Sequence, residues 1–263
     1  MIYRFPLEWS FHMHVNRSLI GAFVQSFPGG DVEIIADPYD DSPTAYRWSS
    51  PHLNGLTDPN QLGARAAALK ALWDGALYVD LKGQHAPSPL GQPVEGLYLS
   101  PTDLELRVPF NPFSPSWVSW DFEQIEDPER HPVSLFLFLA HYSSLTKDML
   151  TFLGANGPSW VALYAMKDFM KKGGWKEVQL ATAAGASVSE IKRFAGTANS
   201  HAALGPFGRH GSAGFAPLAN PMTHADAVKL ILTCVGAFFQ HEAARFDLAL
   251  QFAAKVNNRR QLD

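Results

Sequence analysis

The sequence predicts an α+β fold, in which a β-rich N-terminal domain with at least one helix (residues 1–130) precedes an all-helical domain (residues 131–263). Three observations lead to this expectation. Most of the 19 prolines precede residue 131, where short β-favouring runs alternate with turn residues. Longer apolar patterns of helical spacing dominate the rest of the chain. Between the two patterns lies a break, Asp127-Pro-Glu-Arg-His-Pro132, which we take as the domain boundary.

In the N-terminal part, six short segments are predicted as strands: 2–5, 10–15, 31–36, 76–81, 96–99 and 104–108. Segments 96–99 and 104–108 make the best hairpin, because apolar and charged residues alternate after a Ser-Pro-Thr-Asp turn. One helix is predicted over residues 62–76, where apolar residues recur at helical spacing. Gly75 is expected to end this helix.

The C-terminal part is predicted to form a helical bundle. One helix is expected from Pro132 to Phe152, ended by Gly154 and Gly157, and a second begins at Pro158 and ends at Gly173-Gly174. The segments Ser187-Val-Ser-Glu190 and Thr223-His-Ala-Asp226 are typical of helix N-termini, because a serine or threonine and an acidic residue can satisfy exposed amides there. The last helical run is expected to reach roughly Asn257, which would give about 45 Å if the run is unbroken, and to form the spine of the bundle.

The two parts carry opposite formal charge. Residues 1–130 contain 8 basic and 17 acidic side chains (8 − 17 = −9), and residues 131–263 contain 13 and 8 (13 − 8 = +5). The whole-chain charge of −4 excludes a uniformly basic coat for nucleic acid or an anionic membrane. Two expectations stay open: either the basic part attracts a polyanion such as RNA, or the opposite charges hold the two parts together.

Missing motifs disfavour several enzyme classes. The chain has no phosphate-binding P-loop, no Gly-x-Gly-x-x-Gly, no Gly-x-Ser-x-Gly and no His-Glu-x-x-His. Its single cysteine, Cys234, excludes zinc fingers and lies in an apolar stretch, which predicts an inert packing thiol. The nearly uncharged stretch 133–146 is too short to span a bilayer, and no signal peptide is visible. We therefore expect a cytoplasmic protein that does not associate with membranes.

Two histidines near the N-terminus are a weak indication of a metal site. His12 and His14 lie on the same face of a predicted strand, because strand side chains alternate between faces. Two imidazoles can contribute to a metal site, and His52 and His85 are the distant partners that the sequence offers. No carboxylate follows His14 within a few residues. Ordinary strand histidines are therefore the favoured interpretation, and no metal or other cofactor is expected.

The richest polar cluster lies between the capping box at Ser187 and the last helix. Arg193, His201, Arg209 and His210 are the predicted catalytic residues. Arginine offers a permanent charge and a planar set of donors for phosphate, and histidine exchanges a proton near neutral pH. Together they would support metal-free cleavage of RNA: a histidine takes the proton of a ribose hydroxyl and an arginine stabilises the phosphorane charge. Alternatively, Arg209 and His210 only tie a long loop to the bundle.

Five short motifs between residues 145 and 239 carry a resemblance: Leu-Thr-Lys147, Asn156-Gly-Pro-Ser-Trp160-Val-Ala-Leu-Tyr164, Phe194-x-x-Thr-Ala-Asn199, Arg209-His210-Gly and Pro221-Met-Thr-x-Ala-Asp-Ala227. On these motifs the segment resembles an uncharacterised family of bacterial proteins. More loosely, the domain order resembles bacterial defence proteins with a HEPN nuclease domain, which implies action on RNA. The HEPN signature Arg-x(4–6)-His is not matched: seven residues separate Arg193 from His201, and Arg209 directly precedes His210.

The leading functional hypothesis is therefore a bacterial protein of a defence or stress system whose helical part binds or cleaves RNA. A second hypothesis is a non-catalytic module that docks a partner protein or small ligand through Phe113, Trp117 and Trp120, although these rings would equally fill a core. A third expectation is a homodimer formed through the last helix, because its phenylalanines do not share one face: Phe238, Phe239, Phe246 and Phe252.

Overall fold

The computed structural model describes residues 7–13, 31–36, 46–100, 104, 110–115, 132–209 and 219–248. Within these residues the strands are β1 (Ser10–Met13), β2 (Glu33–Ala36), β3 (Tyr46–Ser49) and β4 (Leu90–Pro93). The helices are α1 (Pro59–Asp80), α2 (Pro132–Tyr142), α3 (Ser144–Asn156), α4 (Trp160–Lys172), α5 (Glu177–Ala184), α6 (Val188–Ala198), α7 (His201–Leu204) and α8 (His224–Arg245). This order, with strands and one helix first and helices afterwards, confirms the predicted α+β class.

The four strands form one antiparallel sheet in the order β2-β3-β1-β4. Phe11 of β1 lies opposite Trp48 of β3, and both side chains are fully buried. His12, the next residue, is exposed, as the alternation of side chains along a strand requires. Its imidazole therefore lies on the side of the sheet away from the core, and His14 lies outside the described residues.

Helix α1 overturns one strand prediction. It begins after Asp58, whose side chain accepts a hydrogen bond from the Asn60 N–H, and it continues to Asp80. Segment 76–81 is thus the end of a helix, and the strand predicted there is wrong. Because α1 is buried on nearly all sides, apolar residues lie all around it and the helix has no distinct polar face. Packing in the core therefore outweighs the β preference of Tyr78 and Val79.

Gly157 ends α3 as predicted, but the prediction that Gly75 and Gly154 end helices is wrong. Both lie inside helices, where α1 and α3 approach each other backbone to backbone. A Cβ atom on Gly75 would lie 2.0 Å from the Leu150 carbonyl oxygen, and one on Gly154 would lie 1.8 Å from the Ala71 carbonyl oxygen. The two glycines therefore allow a helix contact that no residue with a side chain permits.

The predicted hairpin is not supported. Segment 96–99 is not a strand. The backbone of Leu99 bonds to the Gln92 side chain, whose amide donates to the Leu99 carbonyl and accepts from the Leu99 N–H. Strands β3 and β4 were not predicted. Of the predicted strand 104–108 only Leu104 is described, and it is not in a strand. The predicted strand 2–5 lies outside the described residues.

The helix predicted over 132–152 is two helices. Ser143 separates α2 from α3, and its hydroxyl oxygen accepts a hydrogen bond from the Thr146 N–H at 3.2 Å. A serine N-cap stabilises the start of a new helix and so breaks the apolar run. The next helix, α4, begins after Ser159 and ends at Gly173, close to the predicted positions.

Both predicted N-terminal capping arrangements are confirmed. The Ser187 hydroxyl accepts from the Glu190 N–H, and the Glu190 carboxylate accepts from the Ser187 N–H at 2.8 Å. Thr223 accepts from the Asp226 N–H and begins α8. The predicted helical run is broken before 257, because α8 ends at Arg245 and a turn follows in which Asp247 has a φ of +48°.

One hydrophobic core contains residues from both parts of the chain, including the sheet, α1 and the C-terminal helices. The proposed boundary between domains 1–130 and 131–263 lies outside the described residues and stays a prediction. Phe238 and Phe239 are both fully buried in this core. These two rings are therefore not available for the contact between two chains that the homodimer hypothesis assigned to them. No helix in the described ranges is long and apolar enough to cross a membrane.

Candidate functional site

Arg209, a predicted catalytic residue, lies against the side of α4. Its guanidinium carbon is 4.1 Å from the centre of the Tyr164 ring, and its Nη2 is 3.4 Å from Oδ2 of Asp168. The Arg209 backbone N–H donates to the carbonyl of Ala198 at the end of α6, at 2.8 Å. The arginine is therefore held at both its backbone and its side chain, between α4 and α6.

A cleft of about 310 Å³ lies beside this arginine, lined by Val161, Ala165, Asp168, Phe169, Lys172 and Arg209. The cleft has two cationic side chains and one carboxylate, so its formal charge is positive. The Arg209 side chain is 37% exposed and keeps donors available to solvent. Phe207, two residues earlier, is 75% exposed. The arrangement offers positive charge and an exposed aromatic ring on one short segment.

The other predicted catalytic residues do not join Arg209 within the described residues. His201 is exposed at the start of α7. Arg193 lies half-buried on α6, and its buried Nε has no hydrogen-bond partner. His210 lies outside the described residues. Among the described residues, no histidine bonds to or stacks on the Arg209 side chain, whose partners are on α4.

The sequence left two roles open for Phe113: a docking surface with Trp117 and Trp120, or the filling of a core. The structure confirms the second role for Phe113, which is buried, and its ring stacks on His141 with a centroid distance of 3.6 Å and an interplanar angle of 23°. Trp117 and Trp120 lie outside the described residues. Phe113 is therefore not available to a partner, and the docking hypothesis loses this residue.

The stacking of Phe113 leads to a buried polar cluster that the sequence did not predict. Asp31 Oδ1 lies 2.8 Å from His52 Nε2 and 2.6 Å from His141 Nε2. All three side chains are at most 10% exposed, and His52 is fully buried. Asp31 lies just before β2, His52 lies in a short 3₁₀ turn after β3, and His141 is near the end of α2. The cluster thus joins the sheet to the helices.

The electrostatics of this cluster follow from burial and hydrogen bonding. Burial raises the pKa of the Asp31 carboxyl, but His141 and His52 together outweigh burial and hold that pKa far below its ordinary value. Burial lowers the pKa of His52, opposed by the hydrogen bond to Asp31. The Ser114 N–H donates to His52 Nδ1 at 3.1 Å, so the ring proton is on Nε2 and points to Asp31.

Of this cluster, the sequence singled out only His52, as a distant partner of His12 and His14. Asp31 and His52 are 21 positions apart, and Asp31 and His141 are 110 positions apart. No local spacing in the sequence indicates that these residues meet. The one available signal was His141, a polar residue at the end of an otherwise apolar helix. His12 lies on the exposed side of the sheet and is not a member of the cluster.

A second buried cluster surrounds Asp74 of α1. Its two oxygens contact Lys70 Nζ at 2.5 Å and His85 Nε2 at 2.8 Å. Burial lowers the pKa of Lys70, opposed by Asp74. The His85 ring also makes an edge contact with Tyr78. His85, which the sequence offered as a metal partner of His12, therefore binds Asp74, and this cluster holds the end of α1 to the chain that follows it.

Cys234 is an inert thiol, as predicted. It is fully buried on α8, and its Sγ–H donates to the Leu180 carbonyl oxygen at 3.2 Å. Burial raises the pKa of Cys234 to about 12, which leaves almost no thiolate at neutral pH.

We therefore expect native Cys234 to resist iodoacetamide at pH 8 and to react promptly in denaturant. Since the chain has one cysteine, intact-mass spectrometry should show one adduct, and only after unfolding. A small free thiol in the same buffer is the control for reagent activity. Rapid alkylation of the native protein, with circular dichroism unchanged, would show that the thiol is accessible and contradict the expectation.

Comparison with protein-family models, with curated proteins and with solved structures gave no match.

Proposed function

We propose that the helical part of the protein binds RNA at the cleft between α4 and residues 205–209. The observation that carries this proposal is the position of the Arg209 guanidinium, seated on the Tyr164 ring and half-exposed at the edge of the cleft. The cellular setting that we propose is the bacterial cytoplasm, in a defence or stress system.

Arg209 is suited to bind a phosphate because its orientation is already set. Stacking on Tyr164 restricts the plane of the guanidinium, and a restricted arginine loses less conformational freedom when it binds. The contact with Asp168 is a solvent-exposed ion pair at 3.4 Å, and such pairs contribute little. A phosphate can therefore replace Asp168 as the partner of Arg209. Lys172, on the same cleft, adds a second positive charge.

The exposed ring of Phe207 favours single-stranded RNA over a duplex. Unpaired bases stack on aromatic side chains, and each such contact contributes about 1–3 kcal/mol. Phe207 precedes Arg209 by two residues, so a base on the ring and its phosphate on the guanidinium are within the reach of one or two nucleotides. The formal charge of +5 on residues 131–263 would add a long-range attraction that salt weakens.

Cleavage of the bound RNA would need proton-transfer groups beside the phosphate. We propose His210, which follows Arg209 directly, and His201 at the start of α7 for this role, with Arg193 as a supporting charge. No metal ion takes part in this scheme. The attack of a ribose 2′-hydroxyl would leave a 2′,3′-cyclic phosphate on one product.

Binding can be tested by fluorescence anisotropy with a labelled single-stranded RNA at low salt. We expect Arg209→Ala to weaken binding about 10-fold, because one phosphate contact and the charge of the cleft are lost. Lys229→Ala is the matched control, since it removes the same charge from an exposed position of α8 and should leave binding nearly unchanged. Equal affinity of the wild type and Arg209→Ala, or no binding by the wild type, would overturn the proposal.

Cleavage is tested separately with the same RNA in the presence of EDTA. The wild type should produce fragments ending in a cyclic phosphate, and His210→Ala should lose at least 100-fold in rate. If the His201 and His210 variants cleave as fast as the wild type, the assigned proton-transfer roles are wrong. If the wild type binds RNA but does not cleave it, the proposal of RNA binding is kept and the proposal of nuclease activity is wrong.

A further inference from the structure

We infer that Asp31, His52 and His141 form a binding site for one divalent transition-metal ion. No cofactor is expected from the sequence, and this metal site is separate from the proposed RNA site. It depends on the position of three side chains that come from separate segments of the chain and meet inside the protein.

The donor atoms have the composition and spacing of a metal site. One carboxylate oxygen and two imidazole nitrogens lie within 4.8 Å of one another. Ligand atoms bound about 2.1 Å from one ion in a tetrahedral arrangement lie about 3.4 Å apart. The Asp31 carboxylate oxygen, which lies 2.8 and 2.6 Å from the two nitrogens, must therefore move away from both to admit the ion. Two histidines and one carboxylate suit zinc and the neighbouring first-row metals rather than calcium or magnesium, which prefer oxygen ligands.

Burial of this set is the second observation. Asp31, His52 and His141 are removed from water, so the buried carboxylate has the two imidazoles as its partners, and side chains of these two types are common metal ligands. Both imidazoles are directed to the same oxygen of Asp31, so the three donors converge on one region. Stacking on Phe113 restricts the plane of the His141 ring.

Metal binding requires the proton on Nε2 of each histidine to leave that nitrogen: His141 releases its proton to solvent or carries it on Nδ1, and in His52 the proton moves within the ring. Because Ser114 N–H donates to Nδ1, the ring proton is on Nε2, the nitrogen that faces Asp31. When Nε2 ligates a metal, this proton must be on Nδ1, where it faces the Ser114 N–H instead of accepting from it. The proton count of the ring is unchanged, but one hydrogen bond is lost. Segment 110–115 must therefore move away from His52 when the metal binds.

The site is tested on protein first treated with a chelator and then titrated with Co²⁺ and with Zn²⁺. We expect one equivalent of Co²⁺ to give visible absorption bands that Zn²⁺ abolishes. Asp31→Asn and His141→Asn should each weaken binding at least 100-fold. His85→Asn is the matched control, because it removes a largely buried histidine that also contacts an aspartate at 2.8 Å and should keep full affinity.

Two measurements on the wild type keep the test decisive if a variant does not fold. Long-range ¹H–¹⁵N spectra of the imidazole nitrogens should show two histidines whose Nε2 signals move on addition of Zn²⁺. Hydrogen exchange of the Ser114 amide should become faster in the loaded protein. A stoichiometry other than one, unchanged affinity in folded Asp31→Asn, or imidazole signals that do not respond to Zn²⁺ would overturn the assignment.

Discussion

Replacing Gly75 with alanine should destabilise the protein by about 3 kcal/mol or more, or prevent folding altogether. The new Cβ atom would lie 2.0 Å from the Leu150 carbonyl oxygen, a distance that atoms not bonded to each other cannot keep. Because the obstacle is backbone, no side-chain rotation relieves it, and α1 must separate from α3. That separation would open the contact around which both helices pack.

Gly154→Ala should have an effect of similar size, since its Cβ atom would lie 1.8 Å from the Ala71 carbonyl oxygen. The double variant should lose less unfolding free energy than the two single variants together. Helices that one methyl group has already separated need little further movement to accommodate the second.

Gly236→Ala is the control for both. Gly236 also lies inside a helix, but its nearest neighbour outside α8 would be Val79 Cγ1 at 3.6 Å, an ordinary contact. Alanine should be neutral there or stabilise the protein by about 0.5–1 kcal/mol. Urea unfolding followed by circular dichroism provides the comparison. Equal midpoints for Gly75→Ala and Gly236→Ala would show that the close helix approach is not what Gly75 provides.

The second large effect is expected from Asp74→Asn, at about 3–5 kcal/mol of unfolding free energy. The substitution keeps the shape of the side chain but leaves the Lys70 ammonium buried without its counter-charge. Asp148→Asn, at an exposed position of α3, is the control and should change stability by about 0.5 kcal/mol at most.

A double-mutant cycle with Lys70→Met separates the charge pair from the rest of the cluster. We expect Asp74→Asn combined with Lys70→Met to be less destabilising than the sum of the single changes, since neither residue then leaves a buried charge.

The cost of Asp74→Asn should also shrink as the pH is raised. Burial lowers the pKa of Lys70 below its value in the unfolded chain, so at high pH the folded state sheds its proton first and gains stability relative to the unfolded state. Two results would contradict the role assigned to this pair. One is that the effects of the two substitutions on the unfolding free energy add up; the other is that the free energy lost in Asp74→Asn is the same at pH 7 and pH 9.5.

Local signals in the sequence predicted helix starts well. The N-terminal arrangements at Ser187 and Thr223 and the helix limits near Ser159 and Gly173 all depend on groups within a few residues of one another. Such groups interact in the same way wherever the helix lies in the fold. The same is true of the order of elements, which follows from where prolines and apolar periodicities occur along the chain.

Signals that could be interpreted in two ways failed where packing decided between them. Glycine in a helical pattern indicates either a stop or a close approach of two backbones, and for Gly75 only the position of Leu150 distinguishes the two. A run of β-favouring residues at 76–81 continues a helix because α1 is surrounded by core. Arg209 was predicted as a site residue, but its partner Asp168 was not.

The sequence by itself thus determined the α+β order, the capped helix starts and the inert Cys234, and it predicted a role for Arg209 that stays a proposal. The tertiary structure alone decided which glycines meet backbone, which aspartates hold buried cations and histidines, and that Asp31, His52 and His141 converge. The physical reason is distance along the chain: caps and periodicity act over a few residues, whereas the Asp31–His141 contact joins positions 110 residues apart. No local pattern records a contact that only the packing of the sheet against the helices creates.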